Sequence, residues 1–156
     1  KKNIINMEPL VIGYRHAGII VKNMGKSLEF YKDFLGLKII QDFEDDSEYI
    51  NKITGLRNCK AHFIKLKMLD GTVLELLEYP THRTKPHDIS IINVGIAHIA
   101  LRVSSTQKSY EFLSKNGVTV LSEPVLSSEG FAKVFFCLDP DGVRVELVEM
   151  IENNNK

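Results

Sequence analysis

Three observations predict an α+β fold made of two paired βαβββ modules. Two stretches of the chain resemble each other: each begins with a strand that contains one histidine and ends with Asp-Gly and a strand that contains Glu-x-x-Glu. In both stretches, apolar residues at helical spacing follow the first strand. In both, Asp-Gly lies between two strands and indicates a β-hairpin. A repeated half predicts a duplicated fold with a site on the pseudo-two-fold axis between the halves.

The first module is predicted for residues 13–80. Its first strand alternates apolar and polar residues, Asn23 can cap the helix that follows, and Gly36 ends that helix. The segment 42–58 is polar and irregular, which indicates a long loop with at most one helical turn. The predicted elements are strand 14–21, a helix over 28–35, strand 37–43, and strands 60–68 and 73–79 around Asp70-Gly71.

Pro80 and Pro86 indicate a linker over residues 81–95, which separates the two modules. The second module is predicted for residues 96–150, and the whole chain makes one domain. Ser104 or Ser105 can cap its helix. The predicted elements are strand 96–103, a helix near 106–116, strand 118–121, strands 131–138 and 143–149 around Asp139–Gly142, and a flexible polar tail at 151–156.

The composition excludes several classes of function. Lys plus Arg and Asp plus Glu number 20 each among 156 residues, and no dense basic run is present, so we expect no nucleic-acid partner. No apolar stretch approaches the roughly 18–20 residues that span a bilayer, and no apolar region follows the N-terminal lysines, so we expect no membrane partner and no secretory signal. Cys59 and Cys137 lack the spacing of a paired motif, which favours a reducing compartment and a cytoplasmic location.

Each module contains one histidine and one glutamate at equivalent places, His16 with Glu75 and His98 with Glu146. The first pair is farther apart in sequence than the second, which indicates an insertion within 42–58. Burial of an unpaired carboxylate is costly, and a bound metal removes that penalty. Two imidazoles and two carboxylates that converge between the modules would therefore hold one divalent ion, and they suit Zn²⁺, Ni²⁺, Fe²⁺, Mn²⁺ or Co²⁺.

The register of the first hairpin determines which residues share a face with Glu75, because side chains alternate along a strand. With Asp70-Gly71 as a two-residue loop, Glu75 is opposite Leu66. The face of Glu75 is then predicted to be a mostly apolar wall that contains His62, Ile64, Leu66, Met68, Val73, Leu77 and Tyr79.

In the second module, His98 and Arg102 are predicted to share a face with Ile96 and Ala100. A four-residue loop from Asp139 to Gly142 would set Glu146 opposite Phe135, although a bulge at the turn would slip this pairing. The other residues then predicted on the face of Glu146 are Lys133, Cys137 and Arg144.

These motifs resemble the vicinal oxygen chelate superfamily, which includes glyoxalase I, methylmalonyl-CoA epimerase, extradiol dioxygenases and the fosfomycin and bleomycin resistance proteins. The resemblance covers nearly all of residues 13–150. Its most specific parts are Ser27-Leu-Glu-Phe-Tyr31 through Gly36-Leu37, Gly95-Ile-Ala-His98-Ile-Ala, and Asp139-Pro-Asp-Gly142-Val-Arg-Val-Glu146-Leu. The resemblance implies that the modules form curved mixed sheets around a central metal-binding cavity.

The resemblance also implies the ligands of that metal, which are His16, Glu75, His98 and Glu146. This set is most similar to that of glyoxalase I, because the epimerase commonly has glutamine at the place of Glu75. We therefore expect a metal-dependent lyase or isomerase that moves a proton next to a carbonyl through a metal-stabilised enediolate. The alternatives are an epimerase-like or dioxygenase-type metalloenzyme, and a protein that binds a small molecule such as an antibiotic and confers resistance.

Within this interpretation, Glu75 or Glu146 leaves the metal to act as the base, and His62 is a further catalytic candidate. Family members are commonly dimers, and some build each site from two chains, so we expect a homodimer that acts on a small-molecule substrate. The sequence leaves open whether the site lies within one chain and whether glutathione is used. The candidate substrate-binding residues are Tyr79, Arg102, Lys133 and Arg144.

Overall fold

The structure is a computed structural model that describes residues 9–85 and 90–151, so the middle of the predicted linker and most of the predicted tail lie outside the described residues. The helix α1 (Met24–Leu28) continues without a break as a π-helical segment, Glu29–Phe34. The elements in chain order are β1 (Ala17–Ile20), α1 (Met24–Leu28), β2 (Lys38–Asp45), α2 (Glu48–Thr54), β3 (Ala61–Lys67), β4 (Val73–Glu78), β5 (Ile99–Arg102), α3 (Thr106–Lys115), β6 (Val125–Leu126), β7 (Ala132–Leu138) and β8 (Arg144–Met150).

The strands form two open four-stranded sheets of the same topology, with the orders β1-β4-β3-β2 and β5-β8-β7-β6. In each sheet the first strand is parallel to the last strand of its module, and the remaining pairs are antiparallel. This arrangement confirms the predicted α+β fold of paired βαβββ modules. It also places the strand that follows each histidine directly beside the strand that contains the glutamate.

The first helix of each module begins in the same way. The Asn23 side chain accepts a hydrogen bond from the backbone N–H of Lys26 at 2.9 Å, and the Ser105 hydroxyl accepts one from the N–H of Lys108 at 3.3 Å. A glutamate from the last strand of each module also contacts the start of its helix. Glu149 accepts bonds from the N–H and the hydroxyl of Thr106 at 2.8 and 2.9 Å. These hydrogen bonds satisfy N–H groups that have no partner within the helix.

One hydrophobic core is shared by both modules on the side of the sheets that faces the helices, and it includes Leu74, Leu76, Phe135 and Leu147. Since alternate residues of β4 and β8 enter this core, the residues between them lie on the opposite side. We call that opposite side the concave face of each sheet. Its position sets where the candidate functional residues lie.

A buried polar contact also joins the modules. The Tyr31 hydroxyl, on the π-helical segment, donates to Asp139 Oδ2 at 2.8 Å, and both residues are almost completely buried. Burial raises the pKa of Tyr31 and also that of Asp139, although the bonds that Asp139 accepts oppose its shift. The neighbouring Asp141 accepts from the backbone N–H of Lys22 at 2.9 Å. The second hairpin turn is therefore attached to the first module.

Two predictions about secondary structure were wrong. The segment 42–58 contains a seven-residue helix, α2, whose Ile50 is fully buried in a cluster with Phe63 and Leu77. The strand predicted at 118–121 is reduced to a single bridge from Val120 to Cys137, and the edge strand β6 begins only at residue 125. In both places tertiary packing, rather than local propensity, determines the structure.

Both hairpins have three-residue loops, so both predicted registers were wrong by one residue. Met68 N–H donates to Thr72 O at 2.9 Å, and Asp139 N–H donates to Val143 O at 2.9 Å. Gly71 and Gly142, at the third loop position, have φ values of 90° and 85°, a left-handed conformation that favours glycine. A turn followed by a left-handed glycine is a common three-residue hairpin loop. The one-residue difference moves every facing side chain of β3 and β7 to the other side.

No helix within residues 9–85 and 90–151 combines the length and the apolar character needed to cross a bilayer.

Candidate functional site

The first histidine–glutamate pair lies on the concave face of the first sheet. Gly18 is paired with Glu75 across β1 and β4, and His16 lies two residues before Gly18 on the same face. His16 Nε2 is 3.2 Å from Glu75 Oε2, and Glu75 is mostly buried. The predicted neighbourhood of His16 and Glu75 is therefore confirmed as geometry, whereas their role as ligands stays a prediction.

The second pair has the same geometry on the concave face of the second sheet. Ala100 is paired with Glu146 across β5 and β8, and His98 lies two residues before Ala100. His98 Nε2 is 3.2 Å from Glu146 Oε2. The repetition shows that the equal backbone pairing of the two modules brings an imidazole and a carboxylate together twice.

The spacing within each pair fits one divalent cation. Two ligands with metal bonds of about 2.1 Å lie roughly 3.0–3.4 Å apart when they occupy adjacent coordination positions. The 3.2 Å separations of His16 from Glu75 and of His98 from Glu146 fall in this range. Neutral imidazole and carboxylate also suit the metals named above. Each pair would therefore supply half of a four-ligand site.

The two pairs do not combine within one chain. Among residues 9–85 and 90–151, no three His, Cys, Asp or Glu side chains gather closely enough to hold a metal ion. The sequence leaves open whether the site lies within one chain, and the described residues of one chain do not bring the two pairs together. Within the described residues of one chain, the two pairs are therefore two separate pairs, and their role as ligands stays a prediction.

Lys65 lies beside Glu75, where the predicted register did not place it. The three-residue loop pairs Lys65 with Glu75 and Gln41 with Lys65, so these three side chains form one row across the concave face. Lys65 Nζ is 2.9 Å from Gln41 Oε1 and 3.8 Å from Glu75 Oε1. The signal that could have revealed Lys65 is the glycine at the third loop position, which predicts the observed register.

The corresponding position of the second module is occupied by Phe136, which is paired with Glu146. The rings of Phe136 and His98 are arranged edge to face with centroids 5.4 Å apart. The predicted pairing of Glu146 with Phe135 is therefore wrong, because Phe135 lies in the shared core. The second pair has an aromatic neighbour where the first pair has a cation.

Tyr79 lies on the concave face, two strand positions beyond Leu77 and four beyond Glu75, as predicted. It packs with the cluster formed by α2, which includes Ile50 and Cys59. Burial raises the pKa of the Tyr79 phenol, and the nearby Cys59 and Glu75 add to the shift. The helix α2 therefore covers one end of the first concave face, beside the row that contains Glu75.

The three basic candidates lie in different places. Arg102 and Arg144 share the face of Glu146, as predicted, because they differ from the glutamate and its partner Ala100 by two strand positions. Lys133 is instead paired with Glu149 on the opposite face, which contradicts its predicted place beside Glu146. The predicted position of Cys137 beside Glu146 was wrong for the same reason, since Cys137 is buried in the core.

His62 also lies on the opposite face, contrary to the prediction. Its register partner is Glu78, and its Nε2 is 2.7 Å from Asp42 Oδ1 while its Nδ1 is 3.9 Å from Glu78 Oε2. The same register change moves Ile64 and Leu66 from the predicted wall into the core. A catalytic role of His62 stays a prediction, and its contacts with Asp42 and Glu78 are separate from the row of Glu75.

Comparison with known proteins agrees with this fold. A probable lactoylglutathione lyase of Synechocystis sp. is 29% identical over 135 residues, which cover 86% of this chain and 92% of the relative. A lactoylglutathione lyase of Neisseria meningitidis is 27% identical, covering 86% of this chain and 88% of that protein. The crystal structure of a glyoxalase family protein from Bacillus cereus superposes with a TM-score of 0.85 over 95% of this chain and 100% of that one, at 17% identity, which supports the fold alone.

The family model described as Glyoxalase/Bleomycin resistance protein/Dioxygenase superfamily matches residues 13–147. This range includes both modules and all four residues of the two pairs. The chain belongs to the glyoxalase/bleomycin resistance protein/dioxygenase superfamily.

Proposed function

We propose that the protein is a divalent-metal-dependent lyase or isomerase of the glyoxalase I type, acting on a small 2-oxo substrate such as a thiohemiacetal. The observation that supports this most directly is the repeated pair, in which a histidine and a glutamate are 3.2 Å apart in both modules. The relatives named lactoylglutathione lyase favour the same reaction class. A divalent metal at these residues would supply the charge that stabilises an enediolate.

The complete site would lie between two copies of the chain, with His16 and Glu75 from one copy and His98 and Glu146 from the other. The absence of any three-residue metal cluster in the described part of a single chain supports this assembly. Large apolar side chains beside the pairs also support it, because Tyr14, Ile20 and Ile96 are exposed. Apolar surface of this kind commonly marks a protein interface.

Glu146 is the better candidate for the residue that moves the proton. Glu75 is the less exposed of the two carboxylates, with 12% of its side chain exposed against 21% for Glu146, and Lys65 Nζ lies 3.8 Å from its Oε1, so Glu75 is favoured as the fixed ligand. At the equivalent place beside Glu146, Phe136 offers no charge. The more exposed carboxylate is more readily displaced toward a substrate C–H group, where it would accept the proton. Tyr79 and α2 would form a wall of the substrate-binding space at the first module.

The first experiment is elemental analysis of the purified protein, followed by turnover of the methylglyoxal–glutathione hemithioacetal with Zn²⁺, Ni²⁺, Co²⁺, Mn²⁺ or Fe²⁺ added. We expect one metal ion per chain and metal-dependent formation of the thioester, and methylmalonyl-CoA serves as the comparison substrate. A protein that binds no divalent metal would contradict the proposal. Metal binding with turnover of methylmalonyl-CoA alone would replace the lyase by an epimerase.

A mixing experiment tests the shared site. Glu75→Gln removes a ligand from the first pair and Glu146→Gln removes one from the second. In a mixed dimer of these two variants, one shared site loses both glutamates and the other keeps both. Random reassembly should therefore restore metal binding to about a quarter of the wild-type sites. Sites contained within single chains would give no restoration.

A further inference from the structure

Lys65 occupies a position where a lysine is unfavourable for stability alone. Its side chain is only 17% exposed, and its Nζ lies between Gln41 Oε1 and Glu75 Oε1. The Phe43 ring is 5.9 Å from the same atom, measured to the ring centroid. Removing an ammonium group from water is costly, and the Gln41 oxygen at 2.9 Å with one carboxylate at 3.8 Å compensates only part of that cost.

The fold itself does not require a cation at this place. Phe136 occupies the equivalent position in the second module, opposite Glu146, and the two sheets have the same topology and the same hairpin loop. An aromatic residue therefore fills this position without loss of the pairing. The pairing of the strands therefore does not determine that a lysine stands at position 65.

The charges of the site indicate what Lys65 would contact, an argument that rests on the proposed function. Two neutral imidazoles and two carboxylates hold a divalent cation with no net charge. With such an ion bound, the charge of Glu75 would be balanced by the metal, and Lys65 would add one positive charge beside the site. A bound ligand with one negative charge compensates Lys65, whereas a neutral ligand of equal shape leaves it uncompensated.

We propose that Lys65, held by Gln41, is a specificity-determining residue that makes the site select vicinal dioxygen ligands with a negative charge over neutral ligands of the same shape. The substrate class is thus a 2-oxo or 2-hydroxy compound that is anionic, or becomes anionic, at the oxygen atoms beside the reacting carbon. The ammonium of Lys65 contacts the anionic oxygen. Gln41 keeps the flexible lysine side chain on the row of Glu75.

The test uses lactate and lactamide, which have the same shape and differ in one negative charge. Zn²⁺-loaded wild-type protein, Lys65→Met, Lys65→Gln and Lys65→Arg are titrated with each compound by calorimetry. We expect Lys65→Met and Lys65→Gln to lose about tenfold in lactate affinity and less than about twofold in lactamide affinity. Lys65→Arg should keep the wild-type preference, because it retains the charge.

Lys67→Met is the matched control, since Lys67 is exposed on the same strand and the same face but is paired with Val73. Unchanged lactate affinity in both neutral Lys65 variants, or an equal loss in Lys67→Met, would overturn the inference. Turnover of the hemithioacetal without a role of Lys65 in lactate binding rejects the inference and keeps the proposed function. If Lys65 has a role in lactate binding but the hemithioacetal is not turned over, the inference is kept and the proposed function is rejected. Failure of the protein to bind Zn²⁺ rejects the inference and the proposed function together.

Discussion

The two modules share a backbone design but differ in the residues that surround it. In both, a histidine is 3.2 Å from a glutamate, an Asn or Ser caps the first helix, and a three-residue loop ends in a left-handed glycine. Opposite the glutamate, however, the first module has Lys65 and the second has Phe136. The repeated features follow from the shared fold, and the differences indicate where the modules have separate tasks.

The contact between the modules shows a second difference. Tyr31 of the first module donates to Asp139 of the second, both buried. The equivalent places in the other module are occupied by Leu113 and Met68, which pack in the apolar core. A hydrogen bond therefore attaches the second hairpin turn to the first module, whereas apolar side chains occupy the equivalent places of the first hairpin turn and the second module. Specific hydrogen bonds fix a geometry, whereas apolar packing tolerates small shifts.

The largest expected effect concerns the two glutamates. Glu75→Gln and Glu146→Gln should each reduce metal affinity by about 100-fold or more, because an amide is a weaker ligand than a carboxylate and even residues that only orient ligands are worth about 10–100-fold. If Glu146 alone moves the proton, Glu146→Gln should also lose turnover when the metal is saturating. Glu75→Gln should then retain more turnover than Glu146→Gln. The measurements are metal titration and metal-saturated kinetics.

Equal loss of turnover in both variants at saturating metal would remove the distinction between the two carboxylates. Glu111→Gln is a suitable control, because Glu111 is exposed on α3 and bonded to Gln107. It should keep wild-type metal affinity.

The next effect concerns the contact between the modules. Tyr31→Phe removes the hydroxyl that donates to Asp139 and leaves a buried carboxylate with one bond fewer. We expect a loss of about 1–3 kcal/mol in the free energy of unfolding, measured by chemical denaturation at neutral pH. Tyr49→Phe is the control and should change stability little, because Tyr49 is exposed. A loss no larger than that of the control would mean that this bond contributes nothing to stability.

Asp139 gives the same contact a pH dependence. Burial raises the pKa of Asp139 in the folded chain, so the protonated form is favoured there more than in the unfolded chain. As the pH rises from the ordinary carboxyl range through this raised pKa, ionisation should therefore lower stability. Asp139→Asn should remove that slope, which unfolding curves across the same pH range would measure. An unchanged slope would assign it to other groups.

The sequence predicted the parts of the molecule that depend on local pattern. The repeat, the helix cap at Asn23, the cap at Ser104 or Ser105, and the position of each histidine beside its glutamate follow from periodicity and strand pairing. The register of the two hairpins does not follow from the local pattern. It depends on whether each loop has two, three or four residues, and this in turn depends on the conformation of Gly71 and Gly142. For that reason Lys65 was missed and His62 was placed on the wrong face.

The packing of α2 and the separation of the two pairs depend on long-range contacts. The helix is held by Ile50, which is buried against strand residues that follow it in sequence. The separation of the pairs depends on how the two sheets are arranged around the shared core. Neither feature has a local signal, since helical propensity in a short polar segment is a weak guide.

The two turn glycines give a smaller effect that compares the hairpins directly. Alanine at Gly71 would hold a left-handed φ of 90° with no atom near its Cβ, so Gly71→Ala should cost about 1–2 kcal/mol from backbone strain alone. Gly142→Ala introduces the same strain in the turn that contains Asp139 and Asp141, which attach it to the first module. We expect the Gly142 variant to lose more stability, measured by thermal unfolding. Equal losses would mean that the two turns are energetically independent of the module contact.

The smallest expected effect concerns the glutamates that end the two Glu-x-x-Glu motifs. Bonds from the Thr106 N–H and hydroxyl lower the pKa of Glu149, whereas Glu78 accepts a longer bond, 3.4 Å from the N–H of Met24. A carboxyl with a lowered pKa in the folded chain contributes stability above its ordinary pKa and loses it as the pH falls through the lowered value. Glu149→Gln should therefore reduce the unfolding midpoint at neutral pH more than Glu78→Gln, and the difference should vanish in acid. If the two variants still differed in unfolding midpoint below the lowered pKa, the difference would have to come from packing. The charge of Glu149 at the N-terminus of α3 would then contribute nothing to stability.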